Sequence, residues 1–160
     1  MSSPIEIVLG GLVETDPAVL SGTDLSSLED IKTLTKWFAA NTPSVIYLDH
    51  CEISDTGAIE LAEYFANNEE HAAQVLFLDS NNIGSEGAKA FAALIVAGIS
   101  IQYYNFLSNN IKNKAAQQLC DAFIGSETVS SVCGVCAEMK PSSIDVQLGM
   151  FSPADAILLG

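Results

Sequence analysis

Cys133-Gly-Val-Cys136 is the sharpest chemical motif in this 160-residue chain. Two cysteines at that spacing can cycle between dithiol and disulfide when the first opens a helix in a βαβ setting. Here the run Val129–Cys136 reads as a strand. A three-residue offset on a strand sends the two thiols to opposite faces. A zinc site would need two further ligands. The other cysteines and histidines are Cys51, Cys120, His50 and His71. Cys120 falls on a helical apolar face, and His71 falls in a helix-to-strand connection, at the opposite edge from His50. Redox or metal chemistry at Cys133 and Cys136 is therefore the alternative reading, and no cofactor or metal is expected.

A second constellation names the parts of a nucleophilic site. His50, Ser80 and Ser108 stand at equivalent places in successive similar segments, with Asp49 and Asp79 one residue before the first two. A serine, an imidazole and a carboxylate can form an acyl-transfer machine only with a hydrogen-bonded relay and an oxyanion donor. Asp49 and His50 are chain neighbours expected to point in different directions, and no enclosed pocket is implied. The expectation is no enzyme. Glu69-Glu70-His71 reads as a solvated helix end.

The elements that carry these residues are repeated. Val45–Ala58 (VIYLDHCEISDTGA) returns as Val75–Ala88 (VLFLDSNNIGSEGA) and as Tyr103–Ala116 (YYNFLSNNIKNKAA). With Cys51, Asn81 and Asn109 equivalent, the unit recurs after 30 and then 28 residues. A strand-like half followed by a helix-like half at that period means stacked copies. Each strand half fits L-x-x-L-x-L-x-x-N/C-x-L. The copies read Pro43-x-x-Ile46-x-Leu48-x-x-Cys51-x-Ile53, Ala73-x-x-Leu76-x-Leu78-x-x-Asn81-x-Ile83 and Ile101-x-x-Tyr104-x-Phe106-x-x-Asn109-x-Ile111. The helical halves run Gly57-Ala58-x-x-Leu61-Ala62-x-x-Phe65, Gly87-Ala88-x-x-Phe91-Ala92-x-x-Ile95 and Ala115-Ala116-x-x-Leu119-Cys120-x-x-Phe123.

These segments resemble leucine-rich repeats of the ribonuclease-inhibitor-like class over residues 43–124. The resemblance implies an α/β solenoid, a short horseshoe segment with a parallel sheet on the concave face and helices on the convex face. Within each unit, alternate strand residues and a three- and four-spaced helix face must bury one another. Asn81 and Asn109 would satisfy backbone groups at the strand exit, and Cys51 stands at the same position, where such repeats also allow cysteine. Asp55, Ser85 and Asn113 suit helix N-caps. Small residues at Ala62, Ala92 and Cys120 would let helix approach sheet.

The flanks are less regular. Residues 1–42 read as an N-terminal cap or divergent repeat, and 125–160 as a divergent repeat with a C-terminal cap, all in one domain. Ile5–Leu9 reads as an edge strand, with turns at Gly10-Gly11, Asp16-Pro17 and Ser21-Gly22. A helix is expected from about Leu25 to Ala40, with Leu28, Ile31, Leu34 and Phe38 on one face. In the fourth strand either Val132 and Gly134 or Val135 and Ala137 face inward. Ile144–Leu148 reads as a strand and Ser152–Leu159 as a capped helix start, together covering the open end.

Charge narrows the partners. Twenty acids face six lysines and no arginine, for a net charge of −14. No positive patch can form, so phosphate-backbone binding and anionic membranes are excluded. An arginine finger is absent, which argues against a GTPase-activating role. Without a basic n-region or a transmembrane run, a cytoplasmic protein with reduced thiols is expected. Delivery to a host cytosol without a classical signal stays open, since such repeats occur among injected bacterial effectors. A protein partner, of basic character, is the expected ligand.

The surface left for that partner is the concave strand face. Three columns should cross it: Val45–Val75–Tyr103, Tyr47–Phe77–Asn105 and Asp49–Asp79–Leu107. Strands lie about 4.8 Å apart, so Tyr47 and Phe77 should stack beside Asp49 and Asp79. Tyr47, Phe77 and Tyr103 are the expected anchors. Asp49, Asp79 and Asn105 complete the candidate site.

Overall fold

The computed structural model describes residues 4–12, 15–68, 70–132 and 135–136. Five strands and five helices alternate after a helical start. They are α1 (Pro4–Gly10), β1 (Ala18–Val19), α2 (Leu28–Asn41), β2 (Val45–Tyr47), α3 (Asp55–Asn67) and β3 (Val75–Phe77). Then follow α4 (Ser85–Val96), β4 (Tyr103–Asn105), α5 (Asn113–Ile124), β5 (Ser131–Val132) and a sixth strand, β6 (Val135–Cys136). The sheet order is the chain order, β1 to β6. Every pair from β1 to β5 is parallel, and β6 returns antiparallel on β5.

The register follows the periodicity without a slip. Ala18, Ile46, Leu76, Tyr104 and Val132 form one row, each paired with the next. The first four of these are buried, as are Leu20, Leu48, Leu78 and Phe106 two residues on. Their side chains meet the helix faces of Leu34, Leu61, Phe91 and Leu119 in one continuous core. Each fully buried residue of this kind contributes about 1.5–3 kcal/mol. The row also settles the fourth strand: Val132, not Val135, takes the Tyr104 register.

A buried asparagine ladder closes the strand exits. Asn81 Oδ1 accepts from the Cys51 and Ile53 amides at 2.9 and 3.0 Å, and its Nδ2 donates to Leu48 O and Leu78 O. Asn109 repeats this one unit on, accepting from Ile83 N and donating to Leu78 O and Phe106 O. Cys51 can only imitate half of it. Its thiol donates to Leu20 O at 3.1 Å, and its carbonyl takes the Leu25 amide.

Four readings of the sequence are corrected. Ile5–Leu9 is a helix, with Ile5 and Leu9, one helical turn apart, both buried. The long helix begins at Leu28 with Ser27 as its cap; Leu25 precedes it and fills the place of Ile53 in a repeat that starts at β1. Asp55, Ser85 and Asn113 are first helical residues, and the residues before them cap through backbone alone. Asp55 serves its neighbour instead: its Oδ1 accepts from Gly84 N and Gly87 N, both at 2.7 Å. Finally, Val129–Cys136, read as one strand, holds two, β5 and β6, which pair antiparallel. The readings of Glu69, Cys133, Ile144–Leu148 and Ser152–Leu159 lie outside the described residues.

Candidate partner-binding face

On β2, β3 and β4 the residues flanking the buried central one are half-buried and lie on the helix-free side of the sheet. Val45, Val75 and Tyr103 pair in one row and Tyr47, Phe77 and Asn105 in the next. The Tyr47 and Phe77 rings stack at 4.6 Å and 4°. Tyr103, from the neighbouring row, leans onto Phe77 at 5.2 Å and 50°. Three aromatic rings thus form one ladder across three strands. Val19, 51% exposed, pairs with Tyr47 and extends the apolar row to β1.

Carboxylates border the ladder in two different states. Asp49 accepts from the Ser21 hydroxyl at 2.5 Å and lies 3.2 Å from His50 Nδ1. Burial pushes its carboxyl up, but the Ser21 and His50 hydrogen bonds outweigh this and hold it below the usual range. Asp79 is held by Asn105 Nδ2 at 2.9 Å. Burial, together with the nearby Asp49 charge, keeps Asp79 above the usual range. Asn105 also receives the Leu107 amide, so it serves as a clamp on Asp79.

Six site residues read from the sequence therefore share one surface. Ser21 and Val19 are additions; both stand 28 residues before Asp49 and Tyr47, the period of the repeat. The weak Ala18-x-Leu20-x-x-Thr23-x-Leu25 pattern was the available signal.

A sequence model described as a leucine-rich repeat matches residues 45–62 and 74–92. Among solved structures, the actin-binding site 2 of leiomodin-1 superposes with a TM-score of 0.63 at 19% identity. The match covers 81% of this chain and 75% of that one. The protein is a leucine-rich-repeat solenoid. No curated protein matches in sequence.

The leucine-rich-repeat frame explains the serine–histidine column. Gly22, His50, Ser80 and Ser108 all have φ between 56° and 75°. They are the left-handed residues that turn the chain out of each strand. That turn folds the His50 ring back onto Asp49, so the two point together and not apart as the sequence suggested. No hydrogen bond links Ser80 to His50 among the described residues, and His50 is 67% exposed. The column is a backbone ladder.

The thiols fit the same frame. Burial pushes Cys51 and Cys120 up to about 11, which makes both poor nucleophiles. His71 lies in the connection from α3 to β3, and no metal-holding cluster occurs among the described residues. No described helix is long and apolar enough to cross a membrane.

Proposed function

We propose that this protein is a non-enzymatic interaction module that grips a protein partner with the open strand face of its sheet. Tyr47, Phe77 and Tyr103 are the apolar anchors. Asp49 and Asp79, the latter held by Asn105, select a lysine or arginine beside the partner's apolar contact. The observation that carries this reading is the three-ring ladder, half-exposed and bordered by two carboxylates. Aromatics ordered before binding lose little entropy on contact, and clustered aromatics are the usual energetic centre of an interface.

Cross-strand stacking alone would stabilise the sheet. It does not account for the acid placed beside it at a cost. A cation seated between Asp49 and Asp79 relieves their repulsion and offsets the desolvation of Asp79. The net charge of −14 favours a basic partner by the same logic. Leiomodin-1's matching segment is a protein-binding element, which supports the class of ligand; at 19% identity it supplies no partner. The encounter takes place in a cytosol, that of the parent cell or of a host.

The test is affinity capture with the wild type and a Tyr47→Ser, Phe77→Ser, Asp79→Lys variant whose fold is checked by circular dichroism. A protein retained by the wild type, lost by the variant and released by salt fits the reading. Identical captures by both forms would overturn it.

A further inference from the structure

Away from the strand face, the C-terminal ends of α2 and α3 border an open cleft of about 320 Å³, near the lower size limit of small-ligand sites. Its wall combines the end of α2 with Tyr64, Asn67, Asn68, Glu70 and His71. Several of the polar groups there are acceptors, beside the Thr42 and Tyr64 hydroxyls, which can act either way. Asn67 and Asn68 donate their side-chain N–H to Glu63 O and Tyr64 O at 2.8 and 2.7 Å, which leaves their amide oxygens for other partners. Glu70 is an exposed carboxylate. His71 Nδ1 is buried and has no hydrogen-bond partner. Its ring packs edge-on against Phe65 at 5.1 Å, and burial holds the imidazole in its neutral form near pH 7.

An unpartnered buried nitrogen costs about 1–3 kcal/mol, and in the Nε2–H tautomer His71 Nδ1 is an acceptor that a donor at this place would satisfy. Neither α2 nor α3 has a basic residue in its last turn, and two helix C-termini therefore bring uncompensated negative potential to one spot. Tyr64 adds an aromatic surface suited to a cation. Among the described residues the wall offers one imidazole and one carboxylate, too few for a metal site.

We propose that this cleft binds a guanidinium or ammonium head group, held by the Glu70 carboxylate, the Asn67 and Asn68 amide oxygens and a hydrogen bond to His71 Nδ1. The site is independent of the strand face.

The experiment titrates the full chain with methylguanidinium while the His71 ring and Asn68 side-chain amide are followed by nuclear magnetic resonance. Urea, of similar shape and no charge, is the comparison. Saturable shifts with methylguanidinium, none with urea, and affinity about two- to fivefold weaker in Glu70→Gln are expected. Non-saturating shifts, an equal response to urea, or unchanged affinity in Glu70→Gln would overturn the assignment. Glu70 is exposed, so its variant should fold normally. A second titration with N-acetylarginine amide separates the sources within a confirmed site. Tighter binding than methylguanidinium points to a partner's side chain, and equal binding to a free small cation.

Discussion

Asp55 caps the helix that follows Gly84, one repeat further along the chain, not its own. Its Oδ1 receives the Gly84 and Gly87 amides at 2.7 Å each, so the carboxylate of one unit satisfies the orphan donors of the next. Asp55→Ala is expected to cost about 1–2 kcal/mol in urea unfolding, and Asp55→Asn less, because the accepting oxygen survives. Gly87→Ala should be costly too. Its Cβ would lie 2.8 Å from both Ala58 Cβ and Ile83 Cγ2, and neither can swing away. Wild-type stability in Asp55→Ala would show the inter-repeat cap to be idle.

The asparagine ladder gives a graded expectation. Asn81→Ala strands two buried amides and the Leu48 carbonyl, while Leu78 O keeps its bond from Asn109, and should cost roughly 3 kcal/mol. Cys51→Ala removes one weak thiol donor and should cost about 1 kcal/mol. Equal losses in chemical denaturation would contradict the geometry.

Tyr104 carries an excess hydroxyl. It is fully buried against Phe91 and Phe106, and its oxygen has no partner among the described residues. Tyr104→Phe keeps the packing and removes the unsatisfied group. The variant should match or exceed the wild type by up to about 1 kcal/mol. A loss above that size would mean the hydroxyl is bonded in solution.

Two carboxylates should answer pH with opposite signs. Asp16 takes the Ser44 hydroxyl and the Ser44 and Val45 amides, bonds that hold it below its ordinary value. Its stabilisation is therefore present above the unfolded carboxylate range and is lost as pH falls through the lower folded value. Asp79, raised by burial, is the reverse. Its form in the fold is favoured below the unfolded value, and stability is lost as pH rises through the higher folded value. Asp79→Asn should thus be more stable than the wild type at pH 7, with the gain vanishing in acid. Asp16→Asn should be less stable at pH 7. Thermal melts of both variants across the carboxylate range test the signs.

Legibility tracked the period. The rows Val45–Val75–Tyr103 and Tyr47–Phe77–Asn105 could be drawn from spacing alone, because one buried residue in two admits a single register. β1 escaped because Ala18-Val19 is two residues long and sits between turn-forming neighbours. α1 escaped because Ile5, Ile7 and Leu9 alternate as a strand would, while Ile5 and Leu9, both buried, are equally one helical turn apart. Asp55 was read as a local cap, since the sequence does not reveal that the next repeat's amides lie closer than its own. The Tyr103–Phe77 contact crosses rows and depends on ring tilt, which spacing cannot encode.

The reversal at β6 limits what the sheet can become. From β1 to β5 a single screw step carries each strand onto its successor, an operation with no internal reason to stop. Applied once more, it lands on a strand running the other way. The two rims of the sheet are therefore unlike, and a copy of β1 laid on β6 could not continue the parallel ladder. Among the described residues the translational step that builds β1 to β5 stops at β6, so a strand added there would have to change the mode of pairing.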